Sequence, residues 1–67
     1  MIEINKYSGN TYVTTGNVKQ SNDKTFVKCG NMWIDDDGHM VEETGKEFRS
    51  LDTGISSTFG DPFAEVK

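Results

Sequence analysis

Apolar and polar positions alternate in short bursts along this chain. Ile2 and Ile4 share one side, with Glu3 and Asn5 opposite, as the two-residue period of a strand requires. Glycine falls at positions 9, 16, 30, 38, 45, 54 and 60, and Asn22-Asp23 fills the one long gap between them. A turn signal therefore arrives every six to nine residues. Helices of ordinary length do not fit such intervals, and glycine weakens helix interiors. The intervening segments are rich in Thr, Val, Ile, Phe, Tyr and Trp, residues that suit a pleated surface.

The pattern predicts a meander. Lys24–Cys29, Met32–Asp36, His39–Glu43 and Glu47–Leu51 read as strands separated by turns at Gly30-Asn31, Asp37-Gly38 and Thr44-Gly45. Gly-Asn occurs three times, and glycine in the first central position suits a type II′ hairpin turn, whereas Asp-Gly suits type I′. Ile2–Tyr7 and Thr11–Thr15 form an expected first hairpin around Ser8-Gly9-Asn10, and Ile55–Phe59 a last strand. Asp61-Pro62 carries a helix-start signature, with Asp as N-cap and Pro at the first helical position. Residues 61–67 thus read as one helical turn or a frayed tail. Phe48 and Leu51 would also fit a short helical turn over Lys46–Leu51, with the strand preferred.

Sixty-seven residues suit one small domain, residues 1–67. The expected fold is all-β: a small antiparallel meander or curled barrel of five to seven short strands, with little or no helix. Its size is that of SH3-like and OB-like barrels, and the absence of a helix signal between the third and fourth strands favours the former. Hydrophobic residues make up 33% of the chain. A chain this short buries only about 60% of the surface it exposes when unfolded. The core is expected to use nearly every large apolar side chain, including Ile2, Ile4, Val13, Val27, Phe26, Trp33, Val41, Phe48, Leu51, Phe59 and Phe63, with Tyr7 and Tyr12 at its margin. Nothing is left over for a deep cleft, which argues against an enzyme. No apolar run is long enough for a membrane span or a signal peptide.

Charge adds the most informative feature. The formal net charge is −4, and Asp35, Asp36, Asp37, Glu42, Glu43 and Glu47 place six acids within thirteen residues, against Lys46 alone. One reading is a solvated edge that discourages strand addition. The sharper one is a negative surface that steers the domain onto a basic partner protein, with Trp33 and Met32 as the neighbouring apolar anchor.

Other chemistry is sparse. Leu51-Asp52-Thr53-Gly54-Ile55-Ser56-Ser57 resembles the active-site loop of the aspartic proteases, the retroviral subfamily above all. That resemblance implies a dimeric enzyme whose paired aspartates share a proton. The sequence departs from the family at Ile55, where a small residue belongs, and at Arg49-Ser50, which interrupt the apolar strand before the aspartate. No flap follows, so the triplet reads as a turn. Asp35-Asp36-Asp37-Gly38 lacks the ligand spacing of a calcium loop, with Met40 and Lys46 at its sixth and twelfth positions. Cys29 and His39 are two isolated soft ligands where structural zinc takes four. Separated by a strand, they also make a poor nucleophilic pair, with Cys29 packed or near an edge and His39 exposed beside its turn. The lone thiol suits a reducing, cytoplasmic setting.

Tyr7, Tyr12, Phe26, Trp33 and Phe48 could stack nucleic-acid bases, but seven basic residues against eleven acidic ones argue against a phosphate-binding groove. The expected function is therefore that of a non-enzymatic protein-binding module, such as an inhibitor, an adaptor or a small phage-type accessory protein. It would use no catalytic residue, metal or cofactor and no membrane contact. The alternatives are a nucleic-acid-binding barrel and a self-assembling subunit that pairs through a sheet edge.

Overall fold

The computed structural model describes residues 1–64. It is all-β, a single antiparallel sheet of seven strands in chain order: β1 (Ile2–Ile4), β2 (Thr11–Thr15), β3 (Val18–Gln20), β4 (Thr25–Cys29), β5 (Met32–Ile34), β6 (Met40–Thr44) and β7 (Glu47–Ser50). The sheet curls into a half-barrel, and β1 does not pair with β7. Among the described residues no helix is long and apolar enough to cross a membrane.

The two ends of the half-barrel differ because alternate loops differ. At one end the pairs Thr15↔Val18, Cys29↔Met32 and Thr44↔Glu47 leave two-residue loops, Gly16-Asn17, Gly30-Asn31 and Gly45-Lys46. In each loop the glycine has φ between 60° and 65° and the second residue stays on the ordinary side of the map. That combination matches the type II′ turn, in which a left-handed first position favours glycine. The third of these turns is Gly45-Lys46, one residue later than the sequence pattern placed it.

Longer loops occupy the other end. Asp37-Gly38 does not form the expected type I′ turn, because Asp37 keeps a negative φ. Instead Gly38 N–H donates to the Asp35 carbonyl at 3.1 Å, and Asp35 Oδ1 accepts from the N–H groups of Asp37 and His39 at 3.0 and 2.7 Å. A side chain that binds the backbone ahead of it fixes the loop locally. Asp35 is therefore buried, not solvated.

Concave and convex faces follow from strand alternation. Tyr12, Lys19, Phe26, Trp33, Val41 and Phe48 turn inward, and Tyr12, Phe26, Trp33 and Val41 form the core with Phe63. Phe63 comes from beyond the sheet and packs against Tyr12, Phe26 and Phe48 with ring centroids 5.1 to 5.5 Å apart. The core is thus smaller than expected. Ile2 and Ile4 are 71% and 70% exposed, and Val13, Val27, Met40 and Leu51 also face solvent, because no element among the described residues packs on the convex side; Phe59, beyond the sheet, is exposed as well. Lys46–Leu51 is not helical; most of it forms β7.

After β7 the chain turns back and crosses the hollow. The last strand expected at Ile55–Phe59 reduces to one bridge, Arg49↔Ser56. Asp61 does not start a helix within the described residues. Its Oδ1 accepts from the Phe63 N–H at 3.1 Å, and Ala64 N–H donates to its carbonyl at 3.2 Å, which gives a turn. The rest of the expected tail, residues 65–67, lies outside the described residues. Buried Asp61 anchors this segment, its Oδ2 accepting from the Tyr12 hydroxyl at 2.8 Å, from Asn10 Nδ2 at 3.4 Å and from Ser8 Oγ.

Candidate functional site

The acidic run does not form one surface. Asp36 and Asp37 are exposed at the loop end, while Asp35 is spent on its own loop. Glu42 and Glu43 are adjacent in β6 and therefore point to opposite faces. Glu42 pairs with Arg49 at 3.4 Å on the convex side. Glu43, on the concave side, meets Lys28 Nζ at 2.9 Å and the Trp33 indole N–H at 3.2 Å. Those contacts, the Lys28 hydrogen bond first, hold its carboxyl below the usual glutamate range. Glu47 is exposed and accepts from the Thr58 hydroxyl at 3.0 Å.

Trp33 is 3% exposed, so it belongs to the core and does not serve as an open anchor. Met32 is half-buried on the convex face. Of the aromatics considered for base stacking, Tyr12, Phe26 and Trp33 are buried and Phe48 is half-buried, which leaves Tyr7 as the exposed ring of that set.

His39 is buried, contrary to the sequence reading. Its Nδ1 lies 2.6 Å from Asp52 Oδ2 and its Nε2 lies 2.9 Å from the Pro62 carbonyl. Asp52 thus serves a structural contact at the start of a turn in which Gly54 N–H donates to the Ser50 carbonyl. Cys29 is exposed at the tight-hairpin end, and His39 lies in the loop at the opposite end. No group of three or more metal-ligating side chains occurs among the described residues.

A different site emerges where the barrel fails to close. The two sheet edges are treated unequally. Along β7, Ser50 N–H donates to the Ile55 carbonyl and Ser57 N–H to the Phe48 carbonyl, both at 2.8 Å, so residues 55–57 cover that edge. Along β1, Met1 and Thr14 exchange both hydrogen bonds at 2.8 Å and Asn5 N–H donates to Asn10 at 2.9 Å. Antiparallel alternation then turns the N–H and C=O groups of Ile2 and Ile4 away from β2. The seam between the edges is bridged at the loop end, where Tyr7 OH donates to Thr58 at 2.6 Å and Asn5 Nδ2 to Gly60 at 3.3 Å. Beyond these ties a hollow of about 400 Å3 runs between Glu3–Tyr7 on one wall and Lys46, Phe48 and Ser57 on the other.

Lys19 lines the floor of that hollow. It is 4% exposed, and its Nζ lies 4.7, 5.0 and 5.2 Å from the ring centroids of Phe63, Phe48 and Trp33. Burial pushes its ammonium below the usual lysine range, opposed by Glu3, Glu43 and Asp61. The sequence pattern missed both β3 and this residue, because Lys19 stands at an inward position where alternation leads one to look for an apolar side chain.

No protein-family model matches the chain, and comparisons with curated proteins and with solved structures found no similar sequence or fold.

Proposed function

We propose that this chain is a non-enzymatic protein-binding module, an inhibitor or adaptor of the reducing cytoplasm, which grips its partner through the unpaired edge of β1. The unequal edges carry this reading: β7 is capped by residues 55–57, whereas β1 presents outward backbone groups between two exposed isoleucines. An extended segment laid on such an edge gains main-chain hydrogen bonds and apolar contact together. Edges of this kind are commonly blunted by charge, proline or a covering loop. β1 has its short length and the inward charge of Glu3 as guards, but no proline, and among the described residues no segment pairs with its outer side.

The acidic residues that remain solvated act at longer range. Asp23, Asp36, Asp37 and Asp52 all belong to loops at the same end of the half-barrel, since a meander alternates its loops between ends. They give that end a negative field suited to a partner with a basic surface nearby, which speeds and orients encounter more than it tightens the complex.

Ile4→Pro is the direct test. The Ile4 N–H points away from β2, so proline there removes an outward donor without breaking the β1–β2 ladder. The partner captured by the tagged chain should be lost from the proline variant while its β circular-dichroism spectrum is kept. Replacing Asp36 and Asp37 together by Ser should slow capture and flatten its salt dependence. Equal capture by the Ile4→Pro variant, or catalytic turnover by the purified chain, would refute the reading.

A further inference from the structure

We infer that the open seam takes an extended acidic segment of another protein, added beside β1 as an eighth strand, with one inward Asp or Glu side chain seated on the Lys19 ammonium. This rests on the reading of β1 as the partner-binding edge and adds the chemistry of what is bound.

Lys19 is the reason. An ammonium carries three N–H donors and no acceptor, and a buried charge costs several kcal/mol unless it is paired. Among the described residues its Nζ makes no hydrogen bond and no ion pair; three aromatic rings surround it instead. Ring faces offset only part of that cost, about 0.5–2 kcal/mol for a contact. The nearby carboxylates are engaged elsewhere: Glu43 with Lys28 and Trp33, Asp61 with Tyr12, Asn10, Ser8 and the Phe63 N–H. Glu3, on the β1 wall, forms no salt bridge with it, although its charge is the foremost of those that favour the ammonium. Among the described residues the ammonium therefore has no paired anion, and it lines an open hollow.

The walls extend this polarity. Lys6 and Lys46 also line the seam, so three of the seven basic residues of a chain with net charge −4 converge on one groove. A strand added to β1 presents alternate side chains to the concave face, as Glu3 does from β1 itself, and those side chains reach into the hollow that holds Lys19. An inward carboxylate gives the ammonium its counter-charge, while the strand satisfies the outward groups of Ile2 and Ile4. A partner with an acidic strand beside a basic surface would complement both the seam and the acidic loop end.

The test uses the whole chain, isotopically labelled, with end-blocked peptides Thr-Val-Thr-Glu-Thr-Val-Thr and its central Gln counterpart followed by NMR. The Glu peptide should shift the amides of Ile2 and Ile4 and the side-chain signals of Lys19, binding at least fivefold tighter than the Gln peptide. Lys19→Met should erase that difference yet keep the shifts at Ile2 and Ile4, and Glu3→Gln should tighten the Glu peptide. Equal binding of the two peptides overturns the role of Lys19 and leaves the edge reading standing. Silence at Ile2 and Ile4 with both peptides overturns the two together. Shifts there that depend on protein concentration alone would put a second copy in the seam and overturn the acidic segment. If Lys19→Met does not fold, the side-chain signals of Lys19 in the unaltered chain decide: they should shift with the Glu peptide and not with the Gln peptide, and equal shifts with both overturn its role.

Discussion

Buried His39 is hydrogen-bonded to the carbonyl oxygen of Pro62, 2.9 Å from Nε2, and so ties the returning C-terminal segment to the sheet from which it departs. On the other side of the ring Asp52 sits 2.6 Å from Nδ1. The Pro62 carbonyl and the Asp52 carboxylate are both acceptors, so the ring is held between two acceptors from distant parts of the chain. His39→Ala should lower unfolding free energy by about 2 kcal/mol, since it leaves the Pro62 carbonyl without its donor. Asp52→Asn, at an exposed carboxylate, should cost clearly less. Urea unfolding followed by Trp33 fluorescence measures both.

Asp61→Asn should be more damaging than its near-identical shape suggests. Its carboxylate accepts from Ser8, Asn10, Tyr12 and the Phe63 N–H, and an amide in its place turns a donor toward groups that also donate. About 2–3 kcal/mol is expected for a buried charge-assisted cluster of this kind, against under about 0.5 kcal/mol for Asp36→Asn in the exposed loop. Equal urea midpoints for the two variants would show that Asp61 is no anchor.

Lys19→Met should make the protein more stable, by about 1 kcal/mol, because a similar apolar stem replaces a buried charge that has no ion-pair partner among the described residues. The pH dependence gives the sign. The folded state holds the Lys19 proton less tightly than the unfolded chain, so the native state gains relative stability as pH rises through the lowered value toward the ordinary one of about 10.4. The advantage of the Met variant should therefore be full at neutral pH and shrink above it. Thermal melts of the two proteins across pH 7 to 10 supply the comparison.

Glu43 works in the opposite range. Its carboxyl is held below the usual value, so its contribution is present above the ordinary glutamate range near pH 4.3 and is lost as pH falls through the folded value. Glu43→Gln should flatten the acid side of the stability profile and leave the profile above pH 6 with a nearly constant offset.

Gly45→Ala should cost about 1–2 kcal/mol although no atom stands in the way of the added carbon, because φ is +62° and the penalty lies in the backbone. Melting temperatures would reveal it. Thr15→Ala, at an exposed strand position with ordinary φ, should have little effect.

The turns at Gly16-Asn17 and Gly30-Asn31 were legible in the sequence because glycine spacing reports strand length and a Gly-first pair suits the tight hairpin, whereas the third tight turn lies one residue later than expected and Asp37-Gly38 adopts another geometry. What escaped depends on distant contacts. β3 carries one apolar residue, Val18, and turns a lysine inward, so its alternation reads as noise without the ring cage supplied by Trp33, Phe48 and Phe63. His39 follows an Asp-Gly pair, which signals a wet turn, and is buried only because Pro62 returns from 23 residues away. The core was overestimated because composition does not tell which apolar residues share a face. Ile2, Val13 and Val27 alternate as well as Tyr12 and Phe26, yet lie on the uncovered side. The acidic run drew attention toward residues that the fold disperses, while a single inward lysine marks the more distinctive surface.

The bond between Ser8 and Asp61 spans 53 positions of chain, whereas every strand pair is made by immediate neighbours. Assembly by successive hairpins can thus finish the sheet before the crossing segment docks, and undocking need not unravel the strands. Hydrogen exchange should then find the amides of Phe63 and Ala64 opening ahead of those in β4 and β5, as a bolt slides before a door gives way.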